Sequence, residues 1–534
     1  MKLVAKKWRR LFALLAGVFL VLVVVPVVYQ MVRGPRMTIS RETTYITEPL
    51  DVNGYPDYAA WLNRELSAGV TPDNNATVLL LQAVGPAVIR SELRERYWKL
   101  LGIEPLPEKG DYFVELEVAA RQSQPAHITP VSEKTPEEAA NQTLDEAMKR
   151  PWSKEEFPLL ARWLLSNERP LSLVVEASKR PRFFEPIVVK AKGTLLESFW
   201  SASGQTRPLG RALVARAMLK LHDGDVPAAW SDLQACHRLG RLVGQNPSLV
   251  GSLLGITLDG FANQGDIAVL RQRDFTSAHL ERMRRDLEQL PPMSRMIDKL
   301  NIGERFTSLD CVVLMAREGP ASLPAGEKQD PKPKGPLDSL KKWIDRSSLD
   351  YDLILGMCNH WCERNVEASD KHRRADRVAA IQKIDADIAE ELRAARRWPQ
   401  MLWNAFFRRR EAGSRAVGLI MASLLLPSAS AANEAQDRWT MTSELTKLAF
   451  SLAAYRADHG AYPEKLAELA PKYIKEVPKD MFNDDADLHY QRQDGGYLLY
   501  SFGPNEKDDG GRGGEDRKEG DTFDDIVVRI PGKK

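Results

Sequence analysis

An acidic, glycine-rich loop near the C-terminus is the stretch of sequence with the strongest chemical signal. Between residues 503 and 525, nine acidic and four basic side chains leave an excess of five negative charges in 23 residues. Calcium prefers about six to eight oxygen ligands, and glycines allow backbone carbonyls to turn inward. The spacing is not that of an EF-hand. From composition alone, a solvated acidic loop is favoured over a cation site.

A second candidate metal site is the sequence Cys358-Asn-His360-Trp-Cys362. The surrounding residues have helical periodicity, so Cys358 and Cys362 share one face while His360 points about 200° away. One metal ion could not bind all three, and structural zinc takes four ligands. The pattern favours buried thiols, with a Cys358–Cys362 disulfide as the alternative outside the cytoplasm.

Catalytic signatures do not accompany these sites. The chain contains no G-x-S-x-G, H-E-x-x-H, phosphate-binding or dinucleotide-binding motif. Ser339-Leu-Lys-Lys342 matches Ser-x-x-Lys but lacks the companion motifs, so we interpret it as a chance match. The sequence therefore favours a protein that is not an enzyme. An extracytoplasmic hydrolase with unrecognised paired carboxylates is the alternative.

The N-terminus predicts a membrane anchor. Residues 11–32 form an uncharged run of 22 residues, and a helix of that length spans about 33 Å, enough for a hydrocarbon core of ~30 Å. The basic residues before it are Lys2, Lys6, Lys7, Arg9 and Arg10. An excess of basic residues on one side of a membrane helix marks the cytoplasmic side. The sequence therefore predicts that the N-terminus lies in the cytoplasm and the bulk of the chain lies outside the inner membrane. A cleaved signal peptide is disfavoured because the run is long and no small-x-small site follows.

The rest of the 534-residue chain predicts a mainly helical protein, and its net charge of +2 gives no indication of nucleic-acid binding. Residues 211–243 predict a helical hairpin similar to a tetratricopeptide unit, although no 34-residue repeat is visible. An apolar run at 416–426 is too short to span a membrane and predicts a buried helix. The predicted units are residues 1–36 (basic tip and anchor), 37–135 (small helical unit), 136–317 (helical body), 318–338 (Pro/Lys/Gly loop), 339–433 (charged helices) and 434–534 (C-terminal module).

The sequence pattern of the C-terminal module differs from that of the helical residues before it. A helix from Ala435 to His459 ends at Gly460, and two aromatic-rich strands flank the tight turn Asp494-Gly495. A third strand follows at residues 525–530. A long helix that leads into a three-stranded antiparallel sheet is an α+β module.

The module resembles the C-terminal half of the major pseudopilins of type II secretion. The resemblance rests on AYRADHGAYP, LAPKYIKEVPKD, YLLYSFGPN, the acidic glycine loop and the Asp-Ile pair, in that order. The whole chain also resembles a family of uncharacterised single-pass bacterial envelope proteins. Residues 1–36 lack a prepilin leader and its early Glu, so we do not expect a filament subunit.

The resemblance implies that calcium binds in the acidic loop. Asn505 falls where pseudopilins carry an Asp, and Asp525 falls on their Asp before Ile. Asp508, Asp509 and Asp524 lie in a longer insert and are candidates by proximity. Asn in place of Asp removes a charge and weakens the expected site. The sequence thus predicts a membrane-anchored interaction or scaffolding protein with unidentified protein partners. An accessory role in a secretion or pilus-like system is a further alternative.

Overall fold

The computed structural model describes residues 37–123, 135–190, 193–201, 203–272, 275–319, 349–395, 409–518 and 520–531. The predicted anchor at residues 11–32, the Ser339–Lys342 match and nearly all of the predicted loop at 318–338 lie outside these ranges. Within them, no helix is both long and apolar enough to cross a membrane.

Helices dominate the described residues, as predicted. The first part of the chain contains α1 (Tyr58–Leu66), α2 (Ala76–Val84), α3 (Arg94–Leu101), α4 (Leu116–Gln122), α5 (Pro136–Ala147), α6 (Pro158–Ser166), α7 (Glu168–Ala177) and α8 (Leu195–Ser201). The sequence of residues 111–122 is compatible with either a strand or a short helix, and in the structure its second part forms helix α4.

The central part continues with longer helices. They are α9 (Thr206–His222), α10 (Val226–Val243), α11 (Leu249–Leu270), α12 (Ser277–Glu288), α13 (Arg305–Glu318), α14 (Tyr351–Ser369), α15 (Arg374–Ala395) and α16 (Arg409–His459). A short turn, Met296–Asp298, and a π-helix, Lys299–Glu304, lead into α13. Helices α9 to α11 form the centre of the largest hydrophobic core.

The α9–α10 hairpin forms at the predicted turn because its turn residues suit it. Gly224 has φ +83°, and the Asp225 side chain caps α10 by accepting a hydrogen bond from Ala228 N–H (3.0 Å). Across the hairpin, Arg216 makes a bidentate ion pair with the buried Asp232, with Nη2–Oδ1 and Nε–Oδ2 distances of 2.7 and 2.9 Å. A bidentate pair fixes the rotation of the two helices about their axes as well as their separation.

Helix α16 extends for 51 residues and passes through residue 434, the predicted start of the C-terminal module. It packs against α11, α12, α14 and α15 before it reaches the sheet. The helix ends as the sequence predicts: Gly460 has φ +79°, and its N–H donates to the Arg456 carbonyl (2.8 Å). The C-terminal module is therefore joined to the helical body by an uninterrupted helix.

The predicted three-stranded antiparallel sheet is confirmed. Its strands are β3 (His489–Gln493), β4 (Gly496–Ser501) and β5 (Ile526–Ile530), in the order β3-β4-β5. Leu445, Leu448 and Leu452 of α16 are buried in the core that also contains the sheet. A two-stranded pair, β1 (Lys479–Asp480) with β2 (Ala486–Asp487), was not predicted. Residues 464–470 have a sequence typical of a short helix and form one 3₁₀ turn, Leu466–Leu469.

Two glycines set the distance between α10 and α11. A Cβ on Gly255 would lie 2.5 Å from the Gly240 carbonyl oxygen and 3.0 Å from the Gly244 nitrogen. These neighbours are backbone atoms, so they cannot move aside without separating the helices.

We therefore expect Gly255→Ala to lower the free energy of unfolding by about 1–3 kcal/mol, the usual effect of overpacking. Gly260→Ala, on an exposed face of the same helix with nothing within 4 Å, should instead raise it by up to ~1 kcal/mol. Chemical denaturation of the two variants measures both changes in the free energy of unfolding. Equal effects of the two substitutions would contradict the close packing of α10 on α11.

Candidate functional site

The acidic loop connects β4 to β5 and is held by close backbone contacts. Gly503, Gly510 and Gly511 have φ near +70°, a conformation that side chains with a Cβ rarely adopt. A Cβ on Gly503 would lie 2.2 Å from the Asp524 carbonyl oxygen. The start and the end of the loop therefore touch, and this contact brings together candidate ligands that are about twenty residues apart.

Three of the five predicted ligands form one hydrogen-bonded group. The Asn505 backbone N–H donates to the Asp524 carboxylate (3.2 Å to Oδ2), and the Asn505 side-chain amide donates to Asp509 Oδ2 (2.9 Å). The Asp524 N–H donates to the same Asp509 oxygen (3.0 Å). Asn505, Asp509 and Asp524 therefore lie side by side.

Asp525 is the fourth member of this group and is buried. Its carboxylate accepts hydrogen bonds from the backbone N–H groups of Gly511 (2.8 Å) and Asp509 (3.4 Å). Burial raises the pKa of Asp525 to about 6 against the effect of these bonds, and the negative charges of Asp509 and Asp508 raise it further. The environment of Asp525 therefore favours a neutralising proton or cation.

Asp508 points away from this group. Its Oδ1 accepts hydrogen bonds from the Tyr500 hydroxyl (3.0 Å) and from the Gly510 N–H (2.8 Å). Four of the predicted ligands therefore lie in one hydrogen-bonded group, and the fifth, Asp508, binds the loop to strand β4 through Tyr500.

The chemistry of the donor set fits calcium, since carboxylate and amide oxygens are the groups that this ion selects. In the described residues, however, no three Asp, Glu, His or Cys side chains are close enough to hold a metal ion together. The carboxylates bond backbone N–H groups of the loop instead. Calcium coordination would require these oxygens to exchange their N–H partners for the ion.

Arg374, at the start of α15, joins the loop to the helical body. Its guanidinium pairs with Glu506 and lies over the Phe482 ring, with Cζ 4.5 Å from the ring centroid. On its other side Arg374 Nε is 3.7 Å from Asp437 of α16. One nearly buried cation therefore contacts the acidic loop, the rest of the C-terminal module and α16.

A second polar cluster lies deep in the body, between α10, α11 and α16. His237 Nδ1 is 2.6 Å from Asp259 Oδ1, and Nε2 is 2.9 Å from Asp266 Oδ2. Imidazole donates from both nitrogens only when it is protonated. Burial by itself lowers the pKa of His237, but the two carboxylates raise it to about 9. The two hydrogen bonds and this raised pKa favour the protonated form of His237.

Asp259 is the centre of this cluster. It also accepts a hydrogen bond from Arg241 Nη1 (2.6 Å), from the Asn263 amide (3.1 Å) and from the indole N–H of Trp439 on α16. Burial alone would raise the pKa of Asp259, but the charges of His237 and Arg241 hold it well below its usual range. The pKa of Asp266, by contrast, is raised by its burial. Two acidic side chains thus face two basic side chains within the core.

One histidine on a packed helix is usually structural, so the sequence around His237 does not by itself predict this cluster. A usable signal was present: Asp259, Asn263 and Asp266 recur at intervals of four and three residues, so they form a polar stripe on one face of α11. His237 and Arg241 are one helical turn apart on α10. Two polar stripes on neighbouring apolar helices predict a buried polar contact.

The buried-thiol interpretation of Cys358 and Cys362 is confirmed. Both are free, and both are buried in α14, whereas His360 is exposed. Burial raises the pKa of Cys362 to about 12 and raises that of Cys358 further. Thiols in this state are poor nucleophiles and poor metal ligands, because the reactive species is the thiolate.

No comparison with known proteins tests the resemblance to pseudopilins, which stays a prediction from the quoted motifs. The structure of the C-terminal module is a long helix followed by a three-stranded antiparallel sheet. No protein-family model matches the chain, and no curated protein or solved structure matches it either.

Proposed function

We propose that this protein is a membrane-anchored, extracytoplasmic scaffold, in which calcium stabilises the junction between a helical body and a C-terminal module. The observation that carries the proposal is the position of the acidic loop. The loop contacts Arg374 of α15 through Glu506 and contacts Arg438 of α16 through Asp524, with an Nη2–Oδ2 distance of 3.5 Å. A change in the charge or conformation of the loop would therefore alter these contacts at the junction directly.

Calcium would be held by Asn505, Asp509, Asp524 and Asp525, with Asp508 within reach if its bond to Tyr500 is broken. The ion would supply positive charge to a loop that has an excess of acids. At present, backbone N–H groups and arginines supply part of that compensation. A loop with its charge neutralised would hold β4, β5 and α16 in one arrangement.

The scaffolding role rests on how firmly the module is attached. Helix α16 contacts the body along its length before it reaches the sheet, and Trp439 connects it to the buried Asp259. A module fixed in this way presents a constant surface to partners outside the membrane. The hydrolase and secretion-accessory alternatives stay predictions from the sequence.

Calcium should raise the melting temperature of the full chain, and a chelator should reverse the effect. At a free concentration 100 times Kd the expected stabilisation is about 2.7 kcal/mol. Because calcium binds ionised carboxylates and the pKa of Asp525 is about 6, the effect should be smaller at pH 5 than at pH 7.5. Thermal unfolding followed by circular dichroism measures it.

Asp525→Asn should abolish the calcium response. Asp494→Asn is the matched control, because it removes one exposed charge from the same module at a turn where Asn-Gly and Asp-Gly are both favoured. Absence of a calcium response in the native chain, or its loss in both variants, would contradict a specific site in the loop.

The scaffolding role predicts reproducible protein partners. Crosslinking of the full chain in its membrane should give the same partners in independent preparations. Arg374→Ala should reduce these crosslinks because it loosens the module, whereas Arg393→Ala, at an exposed position on the same helix, should not. A chain that yields no reproducible crosslink would refute the scaffolding role, while a calcium response without crosslinks would support the loop site alone.

A further inference from the structure

A cleft lies between the first helices of the chain and the α9–α10 hairpin. It consists of two joined hollows of about 540 and 530 Å³, including the solvent at their mouths. Both hollows are lined by Val88, Ile89, Tyr97 and Glu185. Segments that are more than a hundred residues apart in sequence build this cleft, and neither the acidic loop nor the His237 cluster belongs to it.

The two hollows differ in chemical character. One hollow, called the inner one because it borders the largest hydrophobic core, is lined mainly by aliphatic side chains, among them Leu80, Val84, Leu209 and Val243. The other, called the outer one, is bordered by Arg90, Lys190 and Glu197. Lys190 is already paired with Glu92, with an Nζ–Oε1 distance of 3.5 Å. The cleft therefore combines an apolar hollow with a more polar one, as small-molecule sites usually do.

Glu185 lines both hollows and is half-buried, and the residues around it partly desolvate its carboxyl group. Its hydrogen-bond partner is the Tyr97 hydroxyl, at 3.4 Å, and none of the described residues forms an ion pair with it. Burial raises the pKa of Glu185 to about 7, against the effect of that hydrogen bond. A buried carboxylate without a cation is costly, and a positively charged ligand would remove this cost.

Thr77 is a second polar group without a partner. It lines the inner hollow, it is 4% exposed, and its hydroxyl is buried without a hydrogen bond to any residue that the structure describes. Native proteins pair most buried hydroxyls, so an unpaired one beside a cleft indicates space for a ligand atom or a water molecule.

We propose that this cleft binds a small amphipathic amine, with its ammonium group on the Glu185 carboxylate and its apolar part in the inner hollow. An anionic ligand would place its charge beside Glu185 and is disfavoured. The Tyr97 hydroxyl, as a hydrogen-bond donor to Glu185, holds the carboxyl group toward the ligand. The ammonium group would donate to the carboxylate, and an aromatic or short aliphatic body would contact Val84 and Leu209.

Benzylamine is a suitable probe, with benzyl alcohol and benzoate as its neutral and anionic analogues. Binding to the full chain, measured by ligand-detected NMR or calorimetry at pH 7.5, should favour benzylamine over benzyl alcohol by about tenfold or more, because its hydrogen bond to Glu185 is charge-assisted. Benzoate should bind most weakly. Since the ammonium group selects the ionised form of Glu185, affinity for benzylamine should fall as the pH is lowered from 7.5 to 5.5.

Two variants make the test specific. Glu185→Gln keeps the shape of the side chain and should reduce the affinity for benzylamine to that for benzyl alcohol, without lowering the melting temperature. Glu197→Gln removes an exposed acid at the mouth of the cleft and should leave the tenfold preference unchanged. Equal binding of benzylamine and benzyl alcohol to the native chain, no binding of benzylamine, or the same loss in both variants would overturn the proposal.

Discussion

The hydrogen-bonded ion cluster around Asp259 is the constraint on which the rest of the arrangement depends. His237 and Arg241 come from α10, Asp259 and Asp266 from α11, and the Trp439 indole from α16. Buried charges are tolerated only when each finds its partner, and removal of one partner from such a cluster typically costs about 3–5 kcal/mol. A shift of any of the three helices by one turn would leave an unpaired ion in the core. The cluster therefore fixes the register of α16 on the body.

The position of the C-terminal module follows from that register. Twenty residues after Trp439, α16 ends at His459, and along this length its leucines form the core beneath the sheet. The acidic loop then meets α15 and α16 through Arg374 and Arg438. A rigid helix thus connects a buried ion cluster to a surface loop whose charge can be changed by a cation. This connection gives the proposed scaffold its physical basis.

Periodic features were predictable from the sequence, and contacts between distant segments were not. The α9–α10 hairpin, the end of α16 at Gly460 and the three-stranded sheet follow from local patterns of apolar residues, glycines and turns. Local patterns did not predict the approach of Asn505 to Asp524; the resemblance implied a shared site for Asn505 and Asp525, with Asp524 a candidate by proximity. The His237 cluster joins residues 22, 29 and about 200 positions apart, and the Glu185 cleft joins equally distant segments. Such contacts depend on helix packing, which single-sequence periodicity does not determine. The continuity of α16 through residue 434 escaped prediction because a small-residue stretch at 427–433 carries little apolar periodicity.

The most direct test of the account is the pH dependence of unfolding in the native chain and in His237→Gln. The pKa of His237 is raised to about 9 in the folded state, above its unfolded value of ~6.5. Its contribution should therefore be complete below pH 6.5 and should disappear as the pH rises to about 9, a loss of at most roughly 3 kcal/mol. Burial lowers the pKa of Lys299 to about 8, which acts in the opposite direction but equally in both proteins. If the ion cluster holds the helices in register, the native chain is the more stable at pH 6.5 and this advantage shrinks by pH 9. Parallel pH profiles for the two proteins would contradict it.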